Sequence, residues 1–295
     1  MYPPKSEIFI SFLNFNIYYY GIIMAFAIFI GFVTMKIIAK KYYPRISKNI
    51  LSDLVPITVI FGLIGGRLYY ILLDLSYYIK NSNEIFAIWH GGLSIHGAII
   101  GGLLSGIIYL KYKKEEILPY CDIFAYGLLI GQAIGRWGNY FNSEAFGLPI
   151  CTKVPWKLFV PITDRPIEFI DIEFFHPTFL YESIWNIIVF LFIFNVLRKI
   201  VENKYHIIEN NSSDGYGFVF FSYLILYSIG RIFIEFIRID SIKNFFGIPI
   251  AVLVSIILIV ISFIFIVKLN KKYNHIVNKK EAKYDGQKKS INKCF

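Results

Sequence analysis

The sequence predicts an all-α membrane protein with seven transmembrane helices and a small extracytoplasmic cap, and two observations lead to this fold class. Of the 295 residues, 56% are hydrophobic, whereas soluble domains contain roughly 45–50% apolar residues. Seven apolar stretches also reach the roughly 20 residues that a helix needs to cross a bilayer. These stretches are residues 17–38, 54–75, 87–110, 118–137, 177–197, 215–237 and 247–267.

The placement of Lys and Arg predicts the orientation of these spans. Most of the 30 basic residues lie in the connections after the first, third and fifth spans and in the C-terminal tail. Because basic connections are retained on the cytoplasmic side, we expect the N-terminus outside and the C-terminus in the cytoplasm. This topology accounts for the formal net charge of +10, so the charge gives no reason to expect a nucleic-acid partner.

The connections between the spans are mostly short. Residues 142–176 form the one sizeable outward-facing connection, and its prolines and short apolar runs predict a cap with two or three strands. Residues 198–214 are polar and predict a simple cytoplasmic loop. The Lys-rich tail, residues 270–295, is expected to be disordered or to lie on anionic lipid.

The fourth span ends in a polar cluster. Residues 131–147, GQAIGRWGNYFNSEAFG, contain Arg136, Asn139, Asn142 and Glu144 at the end of an otherwise apolar segment. An arginine at the centre of a spanning helix costs about 2.5–3.5 kcal/mol on insertion scales, so a partnered or ligand-binding role is the default interpretation. The alternative for Arg136 alone is that it snorkels to the membrane interface.

Four polar residues share one face of the sixth span, namely Tyr227, Arg231, Glu235 and Arg238. At about 100° per residue, all of them lie within about 40° of Arg231. Two guanidiniums for one carboxylate leave a net positive charge that faces the bundle and favours an anionic ligand. The alternative is that Arg231 and Glu235 neutralise each other as an i, i+4 pair that only stabilises the fold.

The third span contains two histidines, in the segment WHGGLSIHGAIIGG. A six-residue separation leaves His90 and His96 about 120° apart on a helix, a poor arrangement for chelating one metal ion. His96 lies inside the apolar part of the span and is the better candidate for chemistry, although a satisfied structural histidine is the alternative. If the helix begins near residue 87, His96 lies about nine residues, or roughly 14 Å, from its outer end.

Glycines recur at intervals of four residues in several spans, as in Gly62 and Gly66, Gly97 and Gly101, Gly102 and Gly106, and Gly127, Gly131 and Gly135. Small residues at this spacing let helix backbones approach closely, so the pattern predicts tight packing and no particular function. Arg67 follows the glycines of the second span and lies near its middle. It is either a structural partner or part of the entrance to a site.

On this topology, four spans direct their rare polar groups to one depth in the outer half of the bilayer. The groups are Tyr20, His96, Arg136, and Arg231 with Glu235. Two guanidiniums in a low-dielectric pocket suit a phosphate, and a phosphate in the outer leaflet belongs to a phospholipid headgroup. The residues alone therefore predict an outer-leaflet phospholipid-binding membrane protein.

Two other classes of protein stay open on the residues alone. A transporter or lipid flippase would also hold charged residues in its spans, but transporters often contain internal repeats and paired broken helices. This sequence has no corresponding halves. An assembly protein or receptor would use the charges only to join helices, which leaves the shared depth of the polar groups unexplained.

Six ordered blocks resemble the prolipoprotein diacylglyceryl transferase family: YYYGIIMAF, GGRLYYIL, GGLSIHGAIIGG, GRWGNYFNSEAFG, HPTFLYES and YSIGRIFIEFIR. The resemblance implies a seven-helix enzyme of the bacterial cytoplasmic membrane, with residues 1–269 as the catalytic domain. It implies transfer of the diacylglyceryl group of phosphatidylglycerol to the lipobox cysteine thiol of a prolipoprotein. A thioether forms and glycerol phosphate is released, as the first step of bacterial lipoprotein maturation.

The resemblance also implies site residues. The family's essential histidine corresponds to His96, and its phosphate-handling arginines correspond to Arg136 and Arg231. The implied catalytic set is His96, Arg136, Arg231 and Tyr227. The implied substrate-binding set is Arg136, Asn139, Glu144, Gly147, Tyr20, Glu235 and Arg238. One departure is His90, which stands where we expect an acidic or other polar residue in the family.

No motif in the sequence predicts a cofactor or a metal. There is no dinucleotide fingerprint, no P-loop and no acidic pair suited to Mg²⁺. Cys121, Cys151 and Cys294 have neither the even number of a disulfide framework nor a zinc-ligand spacing. The implied nucleophile belongs to the prolipoprotein, so the expected partners are phosphatidylglycerol, the lipobox peptide and the lipid bilayer.

Overall fold

The computed structural model describes residues 1–4, 8–12, 15–43, 46–87, 91–200, 216–239 and 247–291. Its strands are β1 (Ile8–Phe12), β2 (Phe15–Tyr18), β3 (Leu158–Phe159) and β4 (Phe174–Phe175). Its helices are α1 (Tyr19–Tyr42), α2 (Lys48–Leu73), α3 (Leu75–Lys80), α4 (Ile95–Tyr112), α5 (Ile117–Phe141), α6 (Thr178–Phe192), α7 (Phe218–Glu235) and α8 (Ile250–Ile291).

The predicted fold class and number of spans are confirmed. Among the described residues, seven helices are long and apolar enough to cross a membrane: α1, α2, α4, α5, α6 continued to Ile200, α7, and α8 as far as Lys272. Large apolar side chains such as Phe29, Leu72 and Phe263 are exposed along these helices. Contiguous exposed apolar surface is rare in soluble monomers and fits contact with lipid. The chain is a multi-pass membrane protein.

The third span begins later than predicted. The prediction placed its start near residue 87, whereas α4 begins at Ile95. Among the described residues before it, Ser82–Ile85 form a 3₁₀ turn, and Gly91 and Gly92 have φ angles of 87° and 76°. A right-handed helix requires negative φ angles, so Gly91 and Gly92 cannot belong to the helix that begins at Ile95.

The chain divides into two compact units, of which the first combines Met1–Met35 with Asp122–Phe295. Within this unit, the N-terminal part of α1 packs against α5 through small residues. A methyl group added to Gly31 would lie 2.8 Å from the carbonyl oxygen of Gly127. The close packing predicted from the glycine spacing of the fourth span is therefore confirmed.

The second unit is Lys36–Cys121, in which α2 packs against α4. A methyl group added to Gly97 would overlap the carbonyl oxygen of Gly65, and one added to Gly101 would overlap that of Phe61. The two helices thus meet backbone to backbone. Close packing is confirmed for this pair as well.

The cap predicted for residues 142–176 contains two short strands, within the predicted two or three. β3 pairs antiparallel with β4, and Leu158 lies opposite Phe175. These two residues belong to a fully buried cluster with Val160 and Phe179. The cap is therefore held by its own small apolar core, which includes the first turn of α6.

The N-terminus is attached to the cap. The amino group of Met1 donates to the carbonyl oxygen of Lys157 at 2.6 Å, and the Met1 carbonyl accepts a hydrogen bond from the Phe159 N–H at 2.8 Å. The antiparallel β1–β2 hairpin then leads directly into α1. This hairpin was not predicted.

The C-terminal tail differs from one of the two predictions made for it. α8 continues from its apolar span to Ile291, so the described part of the tail is helical and not disordered. Contact of the tail with anionic lipid stays a prediction. In the segment predicted as a loop from residue 198, the first residues continue α6 to Ile200 through a π-helical turn, and the remainder lies outside the described residues.

Candidate functional site

A buried carboxylate on α6, Glu182, joins two helices of the first unit. Its side chain is 4% exposed. The Oε2 atom of Glu182 lies 2.6 Å from Nη2 of Arg136 on α5, and its Oε1 atom accepts a hydrogen bond of 2.9 Å from Nη1 of Arg231 on α7. Each carboxylate oxygen therefore holds a different guanidinium. A buried charge of this kind persists only where it is paired and hydrogen-bonded.

Arg231 is held on both sides. Its Nη2 atom lies 2.6 Å from Oε2 of Glu235, one helical turn further along α7, while its Nη1 atom is on Glu182. The planar guanidinium can serve two carboxylates at once because its donors form a rigid fork. The predicted i, i+4 pair exists, but it is one part of a larger network.

Arg238 joins this network from outside the helix. α7 ends at Glu235, so Arg238 does not lie on the predicted helical stripe. Its backbone instead forms an isolated β-bridge with Gly147, and its Nη1 atom lies 3.8 Å from Oε1 of Glu182. The predicted proximity to Arg231 is retained by a turn after the helix.

The network has a net positive charge. Three guanidiniums, those of Arg136, Arg231 and Arg238, surround the two carboxylates of Glu182 and Glu235. With all five groups ionised, one positive charge is left over. Arg136 is 24% exposed and Arg231 is 17% exposed at the side chain, while Glu182 is nearly inaccessible. The reachable side of the network is therefore cationic.

A small pocket lies beside this network. It is lined by Glu182, Trp185, Asn186, Tyr227, Gly230, Arg231 and Ile234. The phenol of Tyr227 thus lines the same pocket as the Arg231 guanidinium, as the shared helix face predicted. Asn186 is 1% exposed, and its Oδ1 atom has no hydrogen-bond partner among the described protein atoms.

Two contacts align α7 with its neighbours. Trp185 Nε1 on α6 donates to the carbonyl oxygen of Leu226 at 3.0 Å, and the indole fills the space beside Gly230 so closely that a methyl group there would overlap it. At the start of α7, the buried carboxylate of Asp122 accepts hydrogen bonds of 2.8 Å from the N–H groups of Gly217 and Phe220. The two Asp122 hydrogen bonds satisfy N–H groups that a helix start otherwise leaves without partners.

The end of α5 folds back on itself beyond Arg136. Asn139 Nδ2 donates to Oε1 of Glu144 at 2.9 Å, and Asn142 Nδ2 donates to the same oxygen at 3.4 Å. Ser143 and Ala145 adopt positive φ angles of 51° and 55°, a conformation that costs a non-glycine residue about 1 kcal/mol or more. The amide side chains and the tight turn fix the exposed Glu144 carboxylate.

Gly147 lies at a crowded junction of the cap. Its N–H donates to the carbonyl oxygen of His176 at 2.8 Å. A methyl group at Gly147 would lie 2.9 Å from the side chains of His176, Thr178 and Ile237. His176 Nδ1 lies 2.9 Å from the Tyr181 hydroxyl, and burial lowers the pKa of the His176 imidazole below its ordinary value of 6.5.

Tyr20 lies in the first turn of α1 and packs on α5. A methyl group at Gly138 would lie 2.7 Å from Cδ2 of the Tyr20 ring. The tyrosine is 37% exposed. The Tyr20 ring therefore occupies the space left by the missing side chain of Gly138, which is two residues after Arg136 in α5.

His96 and Arg67 belong to the second unit. His96 is the second residue of α4, so it lies in the first helical turn and the predicted depth of nine residues is wrong. Its exposed side chain lies beside Tyr69, with ring centroids 6.1 Å apart. The Arg67 guanidinium binds backbone carbonyls of the loop before α4, which favours the structural alternative over an entrance. His90 lies outside the described residues.

Glu182 was not among the predicted site residues, although it organises them. The sequence contained enough information to identify Glu182, because HPTFLYES places a carboxylate in the first turns of an apolar span. Ionisable residues inside spans are functional candidates by default.

In the described part of the chain, no three His, Cys, Asp or Glu side chains are grouped so that they could hold a metal ion.

Comparisons with known proteins agree with the resemblance. A model of the family described as prolipoprotein diacylglyceryl transferase matches residues 7–268. A relative from Prochlorococcus marinus, named phosphatidylglycerol–prolipoprotein diacylglyceryl transferase, is 41% identical over 251 residues and 80% of each chain. Relatives of the same name are 40% identical in Parasynechococcus marenigrum, over 81% of this chain and 82% of that one, and 42% identical in a Nostoc species, over 77% and 76%. The chain belongs to the prolipoprotein diacylglyceryl transferase family.

Proposed function

We propose that this chain transfers the diacylglyceryl group of phosphatidylglycerol to the lipobox cysteine thiol of prolipoproteins. The names of the relatives give the lipid donor, the protein acceptor and the diacylglyceryl group of this reaction. The observation on which the proposal rests is that Glu182 fixes two arginines from different helices beside a pocket. This arrangement suits the phosphodiester of an anionic phospholipid.

The arginines act as a phosphate clamp. A guanidinium whose orientation is already fixed loses little conformational entropy on binding a ligand, and its planar donors match phosphate oxygens. Arg231 is fixed by Glu182 and Glu235, and Arg136 is fixed by Glu182. Because the network keeps one net positive charge, an anionic headgroup binds without leaving an unpaired negative charge in the membrane.

The reaction is a displacement at carbon. The cysteine thiolate attacks the carbon of the diacylglyceryl group that bears the phosphate ester. A C–S bond forms, and the bond from that carbon to the phosphate oxygen breaks. The electron pair of that bond leaves with the phosphate oxygen of glycerol phosphate. Arg136 and Arg231 stabilise this developing charge, a kind of contribution that is worth roughly 3–4 kcal/mol per donor in comparable sites.

The thiol must lose its proton before it attacks, since its ordinary pKa is about 8.5 and the thiolate is the reactive form. His96 accepts this proton in our proposal. The role rests on the family motif GGLSIHGAIIGG, in which His96 holds the position of the family's histidine. The positive field of the arginines favours the thiolate further.

The remaining predicted residues bind substrate. Tyr227 lines the pocket beside Arg231, where its hydroxyl donates to the departing phosphate. The headgroup-binding residues are Tyr20, Asn139, Glu144, Gly147, Glu235 and Arg238. In this proposal residues 1–269 form one catalytic domain, and the basic tail takes no part in the chemistry.

The protein lies in the bacterial cytoplasmic membrane with its N-terminus and cap outside and its C-terminus in the cytoplasm. The distribution of basic residues supports this orientation. Cys151 lies exposed in the cap and provides the test, in a variant with Cys121 and Cys294 replaced by Ala. A membrane-impermeant maleimide should label Cys151 in intact spheroplasts. Labelling only after permeabilisation would show that the cap lies in the cytoplasm, opposite to the proposed orientation.

The activity is tested with purified protein reconstituted in vesicles of phosphatidylglycerol together with a lipobox peptide. We expect glycerol phosphate release matched one-to-one by a diacylglyceryl mass gain on the peptide cysteine. Arg136→Ala should abolish both products, while Lys153→Ala, which removes an exposed positive charge of the cap, should keep them. Lipid binding with neither product in the wild-type protein would overturn the proposal and favour a transporter.

A further inference from the structure

Arg67 has a different role from the other membrane arginines because its guanidinium is fully occupied by backbone. Its Nε donates to the carbonyl oxygen of Ile85 at 3.1 Å, and Nη1 donates to those of Gly91 and Gly92 at 2.7 and 3.0 Å. Nη2 donates to the carbonyl oxygens of Glu84 and Ala87. A guanidinium has five N–H donors, and here each of them has a carbonyl partner.

The position of Arg67 also separates it from a substrate contact. Its side chain is buried, at 7% exposure, and is covered on one side by the Tyr78 ring, whose centroid lies 5.3 Å from Cζ. With no N–H left over, the guanidinium cannot take a phosphate without losing carbonyl partners. The guanidinium instead binds backbone carbonyls of the connection between α3 and α4.

The loop that Arg67 holds sets the start of α4. Gly91 and Gly92 turn the chain with positive φ angles, which point their carbonyl oxygens at the guanidinium. Two residues later, the Ser94 N–H donates to the carbonyl oxygen of Gly66 at 3.0 Å. The chain entering α4 is therefore tied to α2 at consecutive points, at Gly66 and at Arg67.

His96 follows directly after these ties. The next residue, Gly97, meets the Gly65 backbone so closely that any side chain there would overlap it, and the Tyr69 ring lies beside the imidazole. α2 residues 65 to 69 thus contact the chain before, at and after His96. The backbone on both sides of His96 therefore cannot shift along α2 without breaking the contacts of Ser94 and Gly97.

We infer that Arg67 is a positioning residue for His96: it fixes the loop before α4 and so sets where the imidazole stands for proton transfer. This inference rests on the proposed function for the catalytic meaning of that position. A base displaced by about 1 Å from its productive geometry can lose on the order of 100-fold in rate. Loss of Arg67 contacts should therefore lower kcat and leave the binding of lipid nearly unchanged.

The first test compares Arg67→Lys with Arg165→Lys. Lysine keeps the charge but cannot reach five carbonyls. Arg165 provides a matched control, because it also donates to loop carbonyls, those of Val160 and Ile170, but in the cap. We expect Arg67→Lys to lower kcat at least tenfold with KM for phosphatidylglycerol within twofold of wild type, and Arg165→Lys to change neither by more than twofold.

A second variant pair acts on the same contact from the loop side. Gly91 and Gly92 both have positive φ, so alanine is strained at either position. A methyl group at Gly92 would lie 2.6 Å from Nη1 of Arg67, whereas one at Gly91 meets nothing within 4 Å. Gly92→Ala should therefore lower kcat several-fold more than Gly91→Ala, and equal losses would contradict the inference.

A readout on the histidine itself separates positioning from general stability. The rate of carbethoxylation by diethyl pyrocarbonate, measured by peptide mass spectrometry below the melting temperature, should change at least threefold at His96 in Arg67→Lys. The rate at the exposed His275 should stay constant. Combining Arg67→Lys with His96→Gln should lower kcat little beyond His96→Gln alone, because both changes act through one group.

Three results would overturn the inference: an unchanged modification rate at His96, a raised KM with kcat retained, or losses that multiply in the double variant. If the wild-type protein forms no diacylglyceryl peptide, the proposed function fails instead. The carbethoxylation rates still decide in that case whether Arg67 sets the position of His96.

Discussion

The buried carboxylate of Glu182 on α6 forms an ion pair with Arg136 on α5, with 2.6 Å between Oε2 and Nη2, and its other oxygen accepts a hydrogen bond from Arg231. Two cationic groups from separate helices are thus aligned by one anion between them. Breaking such a pair by removing one partner typically costs 3–5 kcal/mol, since it leaves a charge without compensation. Glu182 is the residue on which the geometry of the clamp depends.

Glu182→Gln tests whether turnover depends on the alignment of the arginines or only on their positive charge. The amide keeps the shape of the side chain but accepts through one oxygen only, so one arginine loses its anchor while the network gains a positive charge. We expect kcat to fall at least tenfold and KM for phosphatidylglycerol to stay equal or to fall. The control is Glu168→Gln, which neutralises an exposed carboxylate of the cap. Unchanged kcat in Glu182→Gln would show that the arginines need no alignment by this carboxylate.

Arg231→Lys should lose most activity although the charge is kept. The guanidinium contacts Glu182 and Glu235 with two different nitrogens, at 2.9 and 2.6 Å, and a single ammonium cannot reproduce this fork. Loss of one aligned donor at a developing oxyanion costs roughly 100- to 1,000-fold in kcat. Turnover of phosphatidylglycerol in the reconstituted assay measures the effect. Near wild-type turnover would rule out a clamp that depends on planar geometry.

The number and order of the spans could be predicted because each span is a local property of about 20 consecutive residues. The start of α4 could not be predicted in the same way. The predicted span starts at residue 87, but Gly91 and Gly92 have positive φ angles and the Arg67 guanidinium binds their carbonyl oxygens. Composition alone does not distinguish an apolar loop with an internal partner from a helix.

The site could be predicted in part, for a similar reason. Arg136 and Arg231 stood out as isolated charges in apolar spans, and the i, i+4 spacing correctly placed Glu235 beside Arg231. The partnership of both arginines with Glu182 joins residues 49 positions apart in one case, and no periodicity within a span can identify such a contact. Arg238 reaches the same carboxylate by a turn after α7 and not along the predicted helix face.

Gly230→Ala and Gly21→Ala form a matched pair that tests the packing of α6 on α7. Alanine normally favours a helix over glycine by about 1 kcal/mol. At Gly21 the methyl group meets nothing within 4 Å, whereas at Gly230 it would overlap the Trp185 indole. We expect Gly21→Ala to keep or raise the apparent melting temperature in detergent. Gly230→Ala should lower it, because overpacking costs about 1–3 kcal/mol, and should lower turnover as Arg231 moves relative to Glu182. Equal melting temperatures of the two variants would show that the Trp185 side chain can move away from the methyl group without a loss of stability.

Asp122→Asn tests whether a buried carboxylate on α5 holds the start of α7. Asp122 is 1% exposed, and both of its oxygens accept backbone N–H groups at 2.8 Å, from Gly217 and Phe220. An amide has only one acceptor oxygen, so one N–H group would face an NH₂ group in a buried environment, at a cost of about 1–3 kcal/mol.

For a protein of this size, about 1 kcal/mol shifts the melting temperature by roughly 2–4 °C, so the Asp122→Asn variant should melt several degrees below wild type. Ser47→Ala is the control at another helix start, because the Ser47 hydroxyl accepts from the Ile50 N–H at a long 3.5 Å and its loss should cost less. Since α7 carries both Arg231 and Glu235, a displaced helix start should also reduce turnover. Equal melting temperatures for the two variants would mean that α7 is positioned by its packing alone and that the Asp122 contacts are dispensable.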